Sequence, residues 1–265
     1  MKFIGIIPAR YASMRFPGKP LVDLCGKPMI QRVYEQACKV LDTVIVATDD
    51  TRIYDCVKAF GGEVIMTSPV HKCGTDRVYE AYTQFRQQTH CTLDDSDIVV
   101  VNIQGDEPFI QPDQIQSLID CFPTDIATLV HPFTEHDTLQ DLNNPNYVKV
   151  AIAHIVDNDH PTSIGRALYF SRSVIPYLRA QEQEHWLKTG QFYRHIGMYA
   201  YRADILNTIT HLPQSILEQT ESLEQLRWLE NGMTIQVALT QHASIGIDTP
   251  EDVILAEQYI QQHKS

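Results

Sequence analysis

The first part of the chain alternates short apolar runs with longer segments in which apolar residues recur at helical spacing. Residues 3–7, 44–47 and 64–66 are apolar runs of the kind that predict strands buried on both faces. Helical spacing begins at Pro28 and begins again after Asp50, where the pattern predicts helices. Each connection is long enough for a helical crossover, so the pattern predicts an α/β fold with a doubly wound, mostly parallel sheet.

The rest of the chain extends this pattern and interrupts it once. Residues 98–103 form the most strongly apolar run and predict a central strand. From about residue 133 the chain turns polar, with a long predicted strand at 148–156, a short one at 167–170, and a segment at 179–192 that predicts a loop or short helix rather than core. We interpret this part as a smaller inserted sheet and loop segment. Further elements are predicted as follows: a helix from Pro112, strands at 126–130, 196–201 and 235–239, a helix ending at Gly232, and a terminal helix capped by Thr249 and Asp252.

Composition narrows the class of protein. The 265 residues are enough for one large α/β domain with an insertion. The formal net charge of -12 argues against non-specific binding to nucleic acid or to an anionic membrane. No apolar run approaches the ~18 residues of a membrane span, so we expect a cytoplasmic protein. The cysteines form no C-x-x-C pair and the histidines no H-E-x-x-H motif, so we expect carboxylates to be the ligands of any metal.

The loop after the first strand concentrates positive charge. Arg10, Arg15 and Lys19 lie in it, and no acidic residue precedes Asp23. Ligands of open α/β sheets bind outside the carboxyl ends of the strands, where this loop is predicted to lie. We therefore expect it to bind an anion such as a polyphosphate through charge-assisted hydrogen bonds. The alternative is a solvated, mildly basic loop.

Two further loops carry candidate chemistry. Asp106 and Glu107 follow the apolar strand after Gln104 and Gly105, and Mg²⁺ is commonly held by one or two carboxylates together with water and phosphate oxygens. The alternative is an ordinary turn, since turns also favour Gly-Asp. In the loop at 71–77, Gly74 and Thr75 would present backbone donors to a ligand, and Arg77 is long enough to reach an anion. Bare sequence favours a plain helix start there, with Thr75 as the N-cap.

These motifs resemble the sugar-activating cytidylyltransferases, most closely the family that acts on 3-deoxy-manno-octulosonate (Kdo). The resemblance covers nearly the whole chain, and the motifs at 167–172 and 194–201 distinguish this family from cytidylyltransferases of sialic acid or methylerythritol phosphate. The motifs are IIPARYASMRFPGKPL at 6–21, ATDD at 47–50, GTDR at 74–77, NIQGDEP at 102–108, NPNYVKV at 144–150, ALYFSR at 167–172, RHIGMYAY at 194–201, LEQLR at 223–227 and GIDTPED at 246–252.

The resemblance implies a reaction and three sets of site residues. The reaction is the transfer of CMP from CTP to the anomeric hydroxyl of Kdo, with release of pyrophosphate, in lipopolysaccharide biosynthesis. Mg²⁺ would be held by Asp106 and Asp248, which with Arg10 and Lys19 would be catalytic. The nucleotide would be bound by Ala9, Arg10, Arg15, Lys19, Gly74, Thr75, Arg77 and Gln104. The sugar acid would be bound by Arg77, Gln104, Arg172, His195, Tyr199, Glu224 and Gln225.

The resemblance also implies an architecture. It predicts a nucleotide-diphospho-sugar transferase-like fold over residues 1–265, with an insertion at about 133–200 that covers the site and forms the interface of a homodimer. Cys73 stands where the family is expected to have Ser, and we expect the small thiol to preserve the shape of its loop. Two alternatives stay open: transfer to a related acid such as 8-amino-Kdo, and a nucleotide-sugar binding protein or glycosyltransferase built on a similar sheet.

Overall fold

A computed structural model describes residues 1–12, 16–154, 163–242, 246–247 and 249–262. Its helices and strands are, in chain order, β1 (Lys2–Ala9), α1 (Met29–Ala37), β2 (Val44–Thr48), α2 (Thr51–Ala59), β3 (Glu63–Met66), α3 (Gly74–Gln88), β4 (Ile98–Asn102), α4 (Pro112–Ile119), β5 (Ile126–Pro132), α5 (Leu139–Asn143), β6 (Lys149–His154), β7 (Ser163–Ser171), α6 (Trp186–Thr189), β8 (Tyr193–Arg202), α7 (Ala203–Thr210), α8 (Ile216–Glu221), α9 (Glu224–Glu230), β9 (Ile235–Leu239) and α10 (Pro250–Gln262).

The chain divides into two compact units. The first comprises Met1–Ile115, Arg202–Thr210 and Ser244–Ser265, and the second comprises Gln116–Tyr201 and His211–Ala243. Within the described ranges, none of the helices combines the length and the apolar character that a membrane crossing requires.

In the first unit the strands lie in the order β3-β2-β1-β4, and every neighbouring pair is parallel. All residues of β2 and β4 are buried, which explains why their sequences are continuous apolar runs instead of alternating patterns. The strands predicted at 3–7, 44–47, 64–66 and 98–103 are all present, with ends that differ by at most two residues. Parallel pairing brings the carboxyl ends of these strands to one edge of the sheet.

The helices of the first unit begin and end where the sequence provides caps. Pro28 is the N-cap of α1 and not its first helical residue, and the helix buries Met29, Ile30 and Val33. The Asp50 side chain caps α2 by accepting a hydrogen bond from the Arg52 backbone. At the end of the chain, Asp252 accepts a hydrogen bond from the Thr249 backbone (2.8 Å), one half of the predicted capping box.

In the second unit the strands lie in the order β8-β5-β9-β7-β6, with only the β5–β9 pair parallel among the pairs of this series. The α/β class is confirmed, and the antiparallel pairs are concentrated here. Pairing of β5 with β8 is interrupted, because Thr128 lies opposite Tyr199 while the next residue, Leu129, lies opposite Ile196. Gly197 and Met198 therefore form a bulge on β8. Of the strand predicted at 148–156, residues 155 and 156 lie outside the described ranges.

The prediction for residues 179–192 is wrong in one respect, because part of this segment is core. Trp186 and Phe192 are almost fully buried and pack with Leu142 of α5. The Trp186 indole nitrogen donates a hydrogen bond to the Gln181 carbonyl (3.0 Å). Neither α5 nor α6 is long enough to show helical periodicity. The mostly polar sequence therefore gave no sign that Leu142, Trp186 and Phe192 are buried.

The Trp186 cluster supports a first prediction. The Trp186→Ala variant should lower the free energy of unfolding by about 3–5 kcal/mol, because it removes a buried indole and leaves a cavity. Urea unfolding followed by far-ultraviolet circular dichroism measures this loss. The matched control is Leu168→Ala, which shortens a side chain that is 53% exposed and should change stability by less than about 0.5 kcal/mol. Equal losses in both variants would contradict the assignment of Trp186 to the core.

Candidate functional site

A cavity of about 280 Å³ lies in the first unit, where β1 and β4 end. It is lined from three directions: by Ala9 and Arg10 after β1, by Gln104 and Asp106 after β4, and by the residues that lead into α3. This is the location at which ligands bind in open α/β sheets. Ala9 is buried in the wall, whereas Arg10 is exposed at the opening.

Two glycines allow the loops to come this close. A side chain at Gly105 would place its Cβ 3.0 Å from the Pro8 carbonyl oxygen, so the segment after β4 approaches the end of β1 only with glycine there. Gly18 has φ +75°, and its backbone nitrogen donates to the Tyr11 carbonyl (2.9 Å). That hydrogen bond ties Gly18 to Tyr11, and the short 3₁₀ helix Lys19–Leu21 begins at the next residue. Lys19 is thereby held at the cavity.

Lys19 and Asp106 form the central ion pair of this cavity. The Lys19 Nζ lies 2.7 Å from Asp106 Oδ2, and the side chains are 12% and 38% exposed. The Asp106 carbonyl accepts a hydrogen bond from the Ile247 backbone (3.0 Å). Asp248, the second predicted metal ligand, follows Ile247 in the sequence and lies outside the described residues. Arg15, the third predicted cation of the loop, lies outside them as well.

The N-terminus of α3 forms another wall, and the predicted N-cap there is wrong. Cys73 is the N-cap, and its Sγ accepts a hydrogen bond from the Asp76 backbone (3.4 Å). The helix begins two residues earlier than expected, at Gly74, so Thr75 is buried in its first turn. Cys73 and Gly74 line the cavity, but Thr75 is not among the described lining residues. The dipole of a 15-residue helix favours an anion at this end.

Arg77 reaches the cavity from α3 but is already paired. Its guanidinium donates to Asp49 Oδ2 (2.7 Å) and to Thr67 Oγ1 (2.6 Å), and the side chain is only 4% exposed. These partners follow β2 and β3, so Arg77 joins the ends of neighbouring strands. Its predicted contacts with nucleotide and sugar acid stay predictions.

The cavity carries more positive than negative charge, although the protein as a whole is acidic. Lys72 and His71 line it in addition to the predicted cations, and both were missed because the loop looked like a simple helix start. His71 Nε2 contacts Glu80 Oε2. Burial alone would raise the pKa of Glu80, but hydrogen bonds from the Ser68 backbone and His71 hold it below its usual value. His71 therefore faces an ionised carboxylate.

Five of the other predicted residues lie in the second unit: Arg172 after β7, His195 and Tyr199 on β8, and Glu224 and Gln225 at the start of α9. The rings of His195 and Tyr199 are 5.3 Å apart, and Trp228 packs edge-on against Tyr199 at 5.1 Å. Burial raises the pKa of Tyr199 well above its usual value; the nearby Tyr201 and Glu224 add to the shift, and the Thr128 side chain opposes it. Gln225 is buried, although its neighbour Glu224 is only half-buried and accepts a hydrogen bond from Arg227 (2.8 Å).

Several polar atoms of this group are unsatisfied. The Tyr199 hydroxyl, the Gln225 Nε2 and the Trp228 Nε1 are buried without a hydrogen-bond partner among the described residues. A buried polar atom without a partner costs about 1–3 kcal/mol. Water molecules or a ligand that carries hydroxyl groups would stabilise these three atoms by hydrogen bonding to them.

The Arg172 side chain donates hydrogen bonds to main-chain carbonyls. Its guanidinium donates to Glu221 O (2.6 Å), Pro145 O (2.9 Å) and Ser222 O (3.3 Å). The Glu221 carboxylate in turn accepts from Ser171 Oγ (2.7 Å) and from the Arg172 backbone (2.9 Å). Arg172 thus fastens the turn before β6 to the end of α8. Its role toward a sugar-acid carboxylate stays a prediction.

Lys149 is a buried cation that sequence reasoning missed. It has no exposed surface, and its Nζ donates to the Asn144 carbonyl (3.0 Å). Burial lowers the pKa of Lys149 to about 8; the nearby Glu221 opposes this shift and Arg172 adds to it. The available signal was a single charge inside the apolar run from Val148 to Ala153.

Comparison with known proteins defines the class. A protein-family model described as "Cytidylyltransferase" matches residues 4–235. Because that match covers most of the chain, the protein belongs to the cytidylyltransferase family.

Individual relatives define the group within this family. The 3-deoxy-manno-octulosonate cytidylyltransferase of Parabacteroides distasonis is 58% identical over 96% of either chain. The protein of the same name from Phocaeicola vulgatus is 56% identical over 100% of this chain and 99% of its own. A solved structure of CMP:2-keto-3-deoxy-manno-octonic acid synthetase complexed with CTP is 39% identical, with a TM-score of 0.82 over 99% of each chain. The chain is therefore a member of the 3-deoxy-manno-octulosonate cytidylyltransferases, and the predicted fold class is confirmed.

Lys149 supports a prediction about pH. The folded pKa of about 8 lies below the usual lysine pKa of 10.5, so between these two pH values the unfolded chain binds a proton that the folded protein does not. Stability therefore rises with pH in this window. The Lys149→Met variant has no such proton and does not share this rise. Its free energy of unfolding minus that of wild type should therefore fall by roughly 3 kcal/mol between pH 7.5 and pH 10.5.

Urea unfolding of both proteins at closely spaced pH values measures that difference. The matched control is Lys39→Met, which also removes one lysine charge, but from an exposed position. A constant difference between wild type and Lys149→Met across the window would show that the ammonium is not desolvated.

Proposed function

We propose that this protein transfers CMP from CTP to the anomeric hydroxyl of Kdo and releases pyrophosphate. Its membership of the 3-deoxy-manno-octulosonate cytidylyltransferases supports the reaction, and the cavity in the first unit supports the nucleotide part of it. The observation that carries the proposal is the Lys19–Asp106 pair at the carboxyl ends of β1 and β4. A triphosphate would offer Lys19 a new anionic partner, and a divalent cation would offer one of opposite charge to Asp106.

The triphosphate would be held mainly by side-chain cations. Arg10, Lys19 and Lys72 line the cavity, and Gly74 begins α3 with backbone donors that lack partners within the helix. We assign Arg15 to the same task because of its position in the loop sequence. Ala9 and Gln104 would contact the remainder of the nucleotide. Arg77 would keep the cavity wall in place through its hydrogen bond to Asp49.

A magnesium ion fits the donor chemistry of this cavity. Asp106 is partly exposed, and only its Oδ2 is engaged by Lys19. Mg²⁺ needs only one or two carboxylates besides water and phosphate oxygens. We propose Asp106 and Asp248 as its ligands. When bound, the ion would supply positive charge that stabilises the phosphate oxygens of the transition state.

The protein would promote the reaction by positioning and by electrostatic stabilisation. The anomeric hydroxyl must approach the α-phosphorus in line with the departing pyrophosphate while negative charge builds on the phosphate oxygens. Lys19 and Arg10 would stabilise that charge, and the N-terminus of α3 would add its dipole. Binding of the acid would fall to the second unit, where Tyr199 and Gln225 have unsatisfied polar atoms suited to hydroxyl groups. We also assign Arg172, His195 and Glu224 to the acid.

Three further properties complete the proposal. We propose that the protein is a homodimer, that it acts in the cytoplasm, and that its product is used in lipopolysaccharide biosynthesis. Membership of the family supports all three. Light scattering at micromolar concentration tests the first, since a monomeric mass would contradict it.

The reaction is tested directly by measuring pyrophosphate release with Mg²⁺ and each of the four nucleoside triphosphates, with and without Kdo. We expect release only when CTP and Kdo are both present. Release with 8-amino-Kdo but not with Kdo would move the assignment to that acid. Binding of CTP without release for either acid would contradict an enzymatic role.

The metal assignment is tested by Asp106→Asn. This change halves the carboxylate charge proposed for the ion and removes the negative charge that faces Lys19, so turnover should fall roughly a hundredfold or more. The matched control is Asp113→Asn, which removes an exposed carboxylate from the first turn of α4 and should leave turnover near that of the wild type. Near-normal turnover of Asp106→Asn at every Mg²⁺ concentration would refute the role of Asp106.

A further inference from the structure

Thr128 lies in β5 opposite the bulge of β8, and it has no exposed surface. Its Oγ1 lies within hydrogen-bond distance of three groups from that strand. They are the Met198 carbonyl at 3.0 Å, the Ile196 carbonyl at 3.5 Å and the His195 Nε2 at 3.1 Å. The bulge is the reason for this convergence, because it turns two carbonyls of β8 toward the same hydroxyl.

The hydroxyl has one proton and two lone pairs, so its contacts constrain one another. A carbonyl oxygen only accepts, and an oxygen–oxygen distance of 3.0 Å is favourable only if the Thr128 proton points to the Met198 carbonyl. The lone pairs of Oγ1 then face the His195 ring. His195 Nε2 must therefore carry a proton and donate it to Thr128.

We infer that Thr128 is a positioning residue, which fixes His195 in the Nε2–H tautomer so that its Nδ1 lone pair accepts a hydrogen bond from a hydroxyl group of the sugar-acid substrate. The part of this inference that concerns the substrate rests on the proposed function. The part that concerns the tautomer rests on the contacts of Thr128 alone.

The surroundings of His195 are consistent with an acceptor. Burial lowers its pKa to about 3, so the imidazole is neutral at pH 7, although the residue as a whole is only half-buried. Phe170 packs edge-on against the ring at 5.2 Å, and the His195 backbone is bonded to the Val148 carbonyl (2.8 Å). No protein donor to Nδ1 is found within the described residues. A neutral histidine held in this way offers one directed lone pair, which suits a sugar hydroxyl.

The tautomer is measurable without substrate. In protein labelled with ¹⁵N in its eleven histidines, the couplings between ring nitrogens and ring carbon protons distinguish the Nε2–H from the Nδ1–H form. The signals of His195 are those that vanish in His195→Gln. We expect the Nε2–H form in the wild type and in Thr128→Ser, which keeps the hydroxyl. In Thr128→Val, which keeps the shape but removes the acceptor, we expect a mixture of both forms.

Steady-state kinetics test the consequence for the substrate. Thr128→Val should raise KM for Kdo about tenfold, because a lost or misdirected hydrogen bond of ordinary strength corresponds to about that factor. KM for CTP should stay unchanged, and Thr128→Ser should recover KM for Kdo to within about twofold. The matched control is Thr240→Val, which removes another buried hydroxyl of the second unit, outside the His195 contacts, and should leave both constants unchanged.

The two arms separate the possible failures. An Nδ1–H tautomer in the wild type overturns the inference, as does a Thr128→Val variant with unchanged tautomer and unchanged KM. If wild type shows the Nε2–H form but does not turn over CTP with Kdo, the proposed function fails while the tautomer assignment stands. If Thr128→Val does not fold, the wild type and Thr128→Ser still decide the tautomer.

Discussion

The parallel pairing of β1 with both β2 and β4 is the constraint on which the first unit depends. Parallel strands end at the same edge, so the loops that follow β1 and β4 necessarily meet there, whatever their sequences. The chain uses this edge to bring Lys19 against Asp106, although 86 residues separate them in the sequence. Arg77 lies at the same edge of the sheet, where it joins residues that follow β2 and β3.

Cations serve different purposes in the two units. In the first unit Arg10, Lys19 and Lys72 line an open cavity, where an anionic ligand can neutralise their charges. In the second unit Lys149 and Arg172 are turned toward main-chain carbonyls, so they stabilise turns and a helix end at the expense of their own hydration. Sequence position alone does not separate these uses, because an arginine looks the same whether its partner is a phosphate or a carbonyl.

The sequence allowed the strands of the first unit and the loops at its edge to be predicted, because parallel strands buried on both faces produce apolar runs that are difficult to mistake. It did not allow prediction of the N-cap of α3, since Cys73 and Thr75 are both capable of accepting the hydrogen bond and only the backbone decides between them. The core around Trp186 was missed because short helices leave no period to detect. The convergence on Thr128 required knowledge of a bulge, which is a property of strand pairing and not of either strand.

The aromatic clusters have a consequence for spectroscopy. The chain has only two tryptophans, and both Trp186 and Trp228 are buried in the second unit. Trp228 is surrounded by the rings of Tyr199 and Tyr201, whereas Trp186 is stacked on Phe192. Intrinsic tryptophan emission is therefore a signal from one half of the molecule. The unit that holds the nucleotide cavity contributes no tryptophan to it, and its melting is followed only by other probes.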